Sequence, residues 1–187
     1  MSVRGPSISA TVISLAYQIQ TENLGPLAII PGPREPHGVA LNHYLRPIVD
    51  VLLTAWIRGI KHCACVSRSA VAAVVMDLQA ARHASQMARH NGHHYCHVCT
   101  CYHQSTRGRT DFEHWTKRNL NELREQAERW RDATTEAERK RIFNEHGIRW
   151  SELWRLPYWD PTRQLVVDPM HCILEGLVLI TFGTSWA

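Results

Sequence analysis

The chain has 187 residues, 44% of them hydrophobic and 20% charged, which is enough for one domain with a real core and describes a globular protein, not a disordered one. A formal charge of +4 is mildly basic; it is compatible with nucleic acid and does not demand it. No apolar run approaches the roughly 18 residues needed to cross a membrane.

The opening stretch, MSVRGPSISATVISLAY, sets one Arg before a short apolar run as a signal peptide does, but it lacks a small-residue cleavage site. It reads as a strand, Ile8 to Tyr17. Leu27 to Ile30 is a second, shorter strand, closed by Pro31-Gly32-Pro33. From Leu41 to Ile57, Leu41, Leu45, Ile48, Val49, Leu52, Leu53 and Trp56 recur at helical spacing, with Asn42 or a neighbour as cap and Gly59 as the stop. Cys63 and Cys65 follow and read as packing residues. Ala70 to Met76 is apolar enough for one buried strand, and a helix-like segment runs from Leu78 to Arg89. The order strand, strand, helix, strand, helix predicts an α/β sheet.

Thr110 with Glu113 makes a capping box for a long helix bearing Phe112, Trp115, Leu120, Leu123, Ala127 and Trp130 on one stripe. Thr135 with Glu138 repeats the signal for a second helix, ended by Gly147. The charged face of these helices, rich in Arg and Glu, reads as solvated surface. Trp150 to Leu156 is a short helical turn before Pro157. Leu165 to Val167 is a brief apolar run delivering Asp168, and Ile173 to Ile180 begins another helix.

Two features carry chemistry. Asp77 stands where the apolar run ends, a position suited to a ligand site in an open α/β sheet and equally to capping the following helix. Cys96 and Cys99 form a C-x-x-C pair among His94, His97 and His103, a donor set suited to Zn²⁺. The cysteines cluster instead of spreading as a disulfide framework, which favours a reducing, intracellular setting. A redox role for the pair fits less well, because the motif does not open a helix after a strand.

Taken together, PGPREP, LNHYLRPIVDVLLTAW, MDLQAAR, HYCHVC and HGIRWSELWRLPYWDPTRQLVVDPMHCILEG resemble the CACTA (En/Spm)-type DNA transposases of fungi. The resemblance runs from about Leu15 to Leu177. It implies an incomplete RNase H-like core with an inserted helical, zinc-binding lobe: residues 1–90 as partial core, 91–165 as the His/Cys knot and helical insertion, and 166–187 as the return to the core. It implies Asp77 as the second of three catalytic acids and Cys96, Cys99 and His171 as zinc ligands. The fourth ligand stays open among Cys101, His103 and Cys172.

Structural Zn, catalytic Mg in an intact enzyme, DNA at transposon ends as partner, self-association into a homo-oligomer and a nuclear location follow from the same likeness. The first acid is expected before Ile8 and the third beyond His171, with Glu175 too close behind His171 to serve. The sequence therefore reads as an internal piece that does not cut DNA alone. A zinc-stabilised DNA-binding module without catalysis and a non-functional relic are the other readings.

Overall fold

The computed structural model describes residues 30, 36–89, 91–102, 106, 108–170 and 173. The strands expected over 8–17 and 27–30 and the helix over 173–180 fall outside this set, Ile30 and Ile173 apart, as do His103, His171, Cys172 and Glu175. The described chain mixes helices with two small two-stranded sheets. No helix among its residues is long and apolar enough to cross a membrane.

Helix α1, Leu41–Ile57, has the expected bounds. Its start is not capped by Asn42. A 3₁₀ turn, Gly38–Ala40, leads in, and the Ala40 side chain offers no cap. The buried Asn42 amide instead donates to the Trp150 carbonyl and accepts from the Glu152 amide, both at 2.9 Å. At the other end the amides of Arg58 and Gly59 converge on the Thr54 carbonyl, with Gly59 at φ 78°. A hairpin follows, β1 (Ile60–His62) antiparallel to β2 (Cys65–Ser67). It leaves Cys63 and Cys65 exposed, so neither packs as expected.

The buried strand expected over Ala70 to Met76 is shorter and less buried. Only Val74–Met76 forms β3, and Val75 is 59% exposed. Its partner is β4, Leu165–Val167, reached through the short helix Pro161–Gln164. The two strands run parallel in the register Val74↔Leu165, Val75↔Val166, Met76↔Val167. Parallel neighbours need a long crossover, and here residues 77–164 supply it. Helix α2, Leu78–Ser85, stops before the expected Arg89 because Gln86 turns left-handed at φ 58°. The Gln86 side chain then ties this end to the Gly38 carbonyl at 2.8 Å.

The capping box at Thr110 does not form. Asp111 pairs with Arg109, and only a 3₁₀ turn, Phe112–His114, follows, with Phe112 69% exposed. The long helix, α3, spans Leu120–Asp132 and is capped by Asn119, whose Oδ1 accepts from the Asn121 amide at 2.9 Å. The reason lies between: Thr116 to Arg118 are extended and bond to Val98 and Thr100 across a short antiparallel bridge. A helix through them would break that bridge. The second capping signal forms as read. Thr135 caps α4, Glu136–His146, by accepting from the Glu138 amide at 3.2 Å, and Gly147 ends it at φ 70°.

The arginine-rich face is only partly a solvated surface. Arg124 lies over the Trp154 ring at 5.2 Å, Arg131 over Trp150 at 4.5 Å and Arg139 over Trp130 at 5.3 Å. These guanidinium groups cover tryptophan faces, and that of Arg124 also donates to the Trp154 and Leu156 carbonyls. The core beneath them joins Val49 of α1, Ala81 of α2 and Leu123 and Ala127 of α3 to Ile148, Trp154, Leu156 and Trp159. After the 3₁₀ turn Glu152–Arg155, α5 (Pro161–Gln164) returns the chain to β4.

Gly147 is a point where the backbone leaves no choice. A Cβ there would meet the Cβ of His94 at 2.5 Å, on a left-handed residue. Gly147→Ala is expected to cost at least the ~1–2 kcal/mol of the left-handed penalty. Urea denaturation measures it; a loss below ~0.5 kcal/mol would mean the His94 loop yields freely.

Candidate functional site

Asp77 directly follows β3, the place the sequence assigned it. Its Oδ1 accepts from the amides of Gln79 at 2.7 Å and Ala80 at 2.8 Å, so the carboxylate caps α2. A second acid, singled out in the sequence only as the end of an apolar run, stands at the same end of the sheet. Asp168 follows β4, its amide donates to the Met76 carbonyl at 2.8 Å, and its Oδ1 accepts from the Met170 amide at 2.9 Å. The register places Asp77 and Asp168 at one level on neighbouring strands, whose backbones are about 5 Å apart. The signal was present in the sequence: VVM-D and LVV-D are two short apolar runs, each delivering an aspartate.

The second cluster is built by the loop after α2. The Cys99 sulfur lies 3.0 Å from that of Cys96 and 3.1 Å from that of Cys101, and Cys99 and Cys101 are buried. The Cys99 amide donates to the Cys96 sulfur at 3.4 Å, the reciprocal use of a tight C-x-x-C turn. Residues 98–100 are held by the bridge to 116–118, and Arg118 Nε donates to the Cys99 carbonyl at 3.2 Å. His97 anchors the loop to the sheet, its Nε2 lying 3.1 Å from the Leu165 carbonyl, while its Nδ1 is buried with no hydrogen-bond partner.

The electrostatics pull the two cysteines of the C-x-x-C pair in opposite directions. Burial pushes the Cys99 thiol up to about 12, reinforced by its bonds to the neighbouring thiols. Burial also works to raise Cys96, but bonds from the Cys99 thiol and the Cys99 and Val98 amides, with the nearby charge of Arg82, bring it below the ordinary thiol value. Burial first, then the charge of Arg82, drops His97 to about 4, leaving a neutral imidazole. Burial lowers the guanidinium pKa of both Arg82 and Arg118, and the adjacent Cys96 and Cys99 partly offset it. Arg82 is 5% exposed, and its Nε and Nη1 have no partner. A buried cation without a counter-charge is costly; ionised sulfurs beside it would supply one.

This donor set fits zinc in chemistry: thiols, an unpaired imidazole nitrogen, and two cations to balance the negative charge of several thiolates. The sulfurs stand closer, at 3.0 and 3.1 Å, than the about 3.8 Å between corners of a tetrahedron with Zn–S bonds of ~2.3 Å. In keeping with that, no group of three His, Cys, Asp or Glu is arranged to hold a metal ion among the described residues. The structure brings Cys96 and Cys99 together and adds Cys101 to them, while His171, the remaining expected ligand, lies outside the described residues. Arg82 and Arg118 were not legible as site residues. Comparison with protein-family models, curated proteins and solved structures finds no match to this chain.

Proposed function

We propose that this chain carries the second-acid strand and the zinc-pinned insertion of an RNase H-like DNA transposase core, acting in the nucleus on transposon ends. One observation supports the reading best. Two parallel strands end in Asp77 and Asp168, and the crossover between them holds the cysteine cluster. Cys96, Cys99 and Cys101 would hold zinc, with His171 the ligand implied by the family likeness; the ion would lock the insertion against the sheet. Paired carboxylates at a strand end suit Mg²⁺, which in such enzymes stabilises the attacking and leaving oxygens of phosphoryl transfer.

The competing reading is a DNA-binding module without catalysis, and Asp77's engagement as a helix cap favours it. One substitution separates the two, since Asn caps a helix as well as Asp does but is a poor ligand for a hard cation. Asp77→Asn is expected to leave stability within ~0.5 kcal/mol, and Asp77→Ala to cost ~1 kcal/mol. Paramagnetic broadening by Mn²⁺ of the amides of Leu78 to Ala80, Asp168 and Met170 should be seen in the parent and lost in both variants. Parent resonances indifferent to Mn²⁺ would reduce Asp77 to a cap and leave the non-catalytic module standing.

A further inference from the structure

A cleft of about 400 Å³ opens between the end of α2, the loop 91–94 and the turn 147–149. Arg82, Arg89, Arg149, His83, His93 and His94 line it, and no Asp or Glu does so among the described residues. None of the three arginines pairs with a carboxylate among those residues. Arg149 is held by its guanidinium over the Phe143 ring, 3.4 Å from the centroid. Arg82 is almost wholly buried, fixed through one nitrogen to the Tyr95 carbonyl and carrying two more without partners. Arg149 and Arg82 are thus held in place, while Arg89 is exposed at the rim.

Like charges gathered in a concave, partly desolvated site repel one another. Arg89 and Arg149 line the same cleft; burial lowers the Arg149 guanidinium pKa, the charge of Arg89 lowers it further, and Glu136 offsets part of this repulsion between the two arginines. An anion seated between them would relieve both. Guanidinium groups bind phosphate through paired N–H donors, and the volume exceeds what a bare phosphate needs and falls at the small end of ligand pockets.

We infer that this cleft binds the phosphate ester of a nucleotide, with Arg89 and Arg149 as the phosphate clamp. The inference goes beyond the transposase reading, since it needs neither the strand-end aspartates nor metal. The phosphate ester has two sources, a free nucleotide or a nucleotide within a DNA strand.

The test titrates the purified full chain at low salt with inorganic phosphate, thymidine 5′-monophosphate and a short single-stranded DNA. The variants are Arg89→Gln, Arg149→Gln and the pair, with circular dichroism as the check on folding. Binding should weaken about ten- to a hundredfold per arginine lost, and the salt dependence of strand binding should fall by about one ion per arginine. Equal affinity for mononucleotide and strand identifies the free nucleotide; much tighter strand binding identifies DNA. Absence of binding to all three ligands, or affinities unchanged in the folded double variant, overturns the inference. Should the double variant not fold, the exposed Arg89→Gln decides alone by the same criterion.

Discussion

Cys99→Ser is expected to strip the purified protein of one zinc ion per chain and to melt the segment from Tyr95 to Arg118. Cys99 is the middle of the three sulfurs, and its backbone also makes the bridge to Lys117 and accepts from Arg118. Loss of the ion therefore acts on the loop and on the strand-like clamp together. Structural zinc contributes ~10–16 kcal/mol in small finger peptides, which fold only with metal. The effect here should be smaller, because the tryptophan core does not depend on the knot, yet still several kcal/mol at the loop. Elemental analysis gives the stoichiometry, and hydrogen exchange at residues 95–118 gives the local stability. A chelator should reproduce the variant's behaviour in the parent and change nothing further in the variant. Cys63→Ser, on the exposed hairpin, is the control and should bind zinc normally. Parent protein free of zinc after purification in zinc-supplemented medium, or full exchange protection retained in Cys99→Ser, would sink the metal reading.

What the sequence made legible follows from which forces act locally. Helix α1 could be bounded to the residue because its apolar period and Gly59 agree, and the period carries through Pro47 inside it. Thr135 and Gly147 were readable because caps and left-handed stops depend on a few adjacent residues. Thr110 misled because its capping box competes with a distant demand: residues 116–118 are needed extended, to pair with 98–100. Asn42 looked like a cap and instead binds peptide groups more than a hundred positions away, which no local pattern encodes. In the site, the C-x-x-C pair was plain. The third sulfur, Cys101, stood only as one of three candidates, and the two arginines had no sequence signature, because both depend on how the loop folds back. The pairing of Asp77 with Asp168 lay between these cases, visible as two similar strand ends but confirmed only by their parallel register.

Trp154→Ala should be the most damaging substitution away from the cysteines, at ~3–5 kcal/mol. Its side chain is 2% exposed and lies in the cluster that joins α1, α2 and α3 to the 148–159 segment. Arg124 covers the ring and donates to the Trp154 carbonyl at 2.7 Å, so truncation also uncovers the layer above. Domains of this kind are stable by only ~5–15 kcal/mol, so the Ala variant should sit near its unfolding midpoint at 37 °C. Trp154→Phe makes the sharper test. The indole nitrogen is buried without a partner, so Phe gives up volume but also removes an unsatisfied donor. The loss for Phe should therefore stay near ~1 kcal/mol, well under a proportional share of the Ala effect. Urea titrations followed by tryptophan fluorescence and by far-ultraviolet circular dichroism read both values. They should coincide in one transition, because the cluster draws on residues both before and after the knot. A Trp154→Ala loss under 1 kcal/mol, or two separated transitions in the parent, would mean that the helical insertion folds on a core of its own.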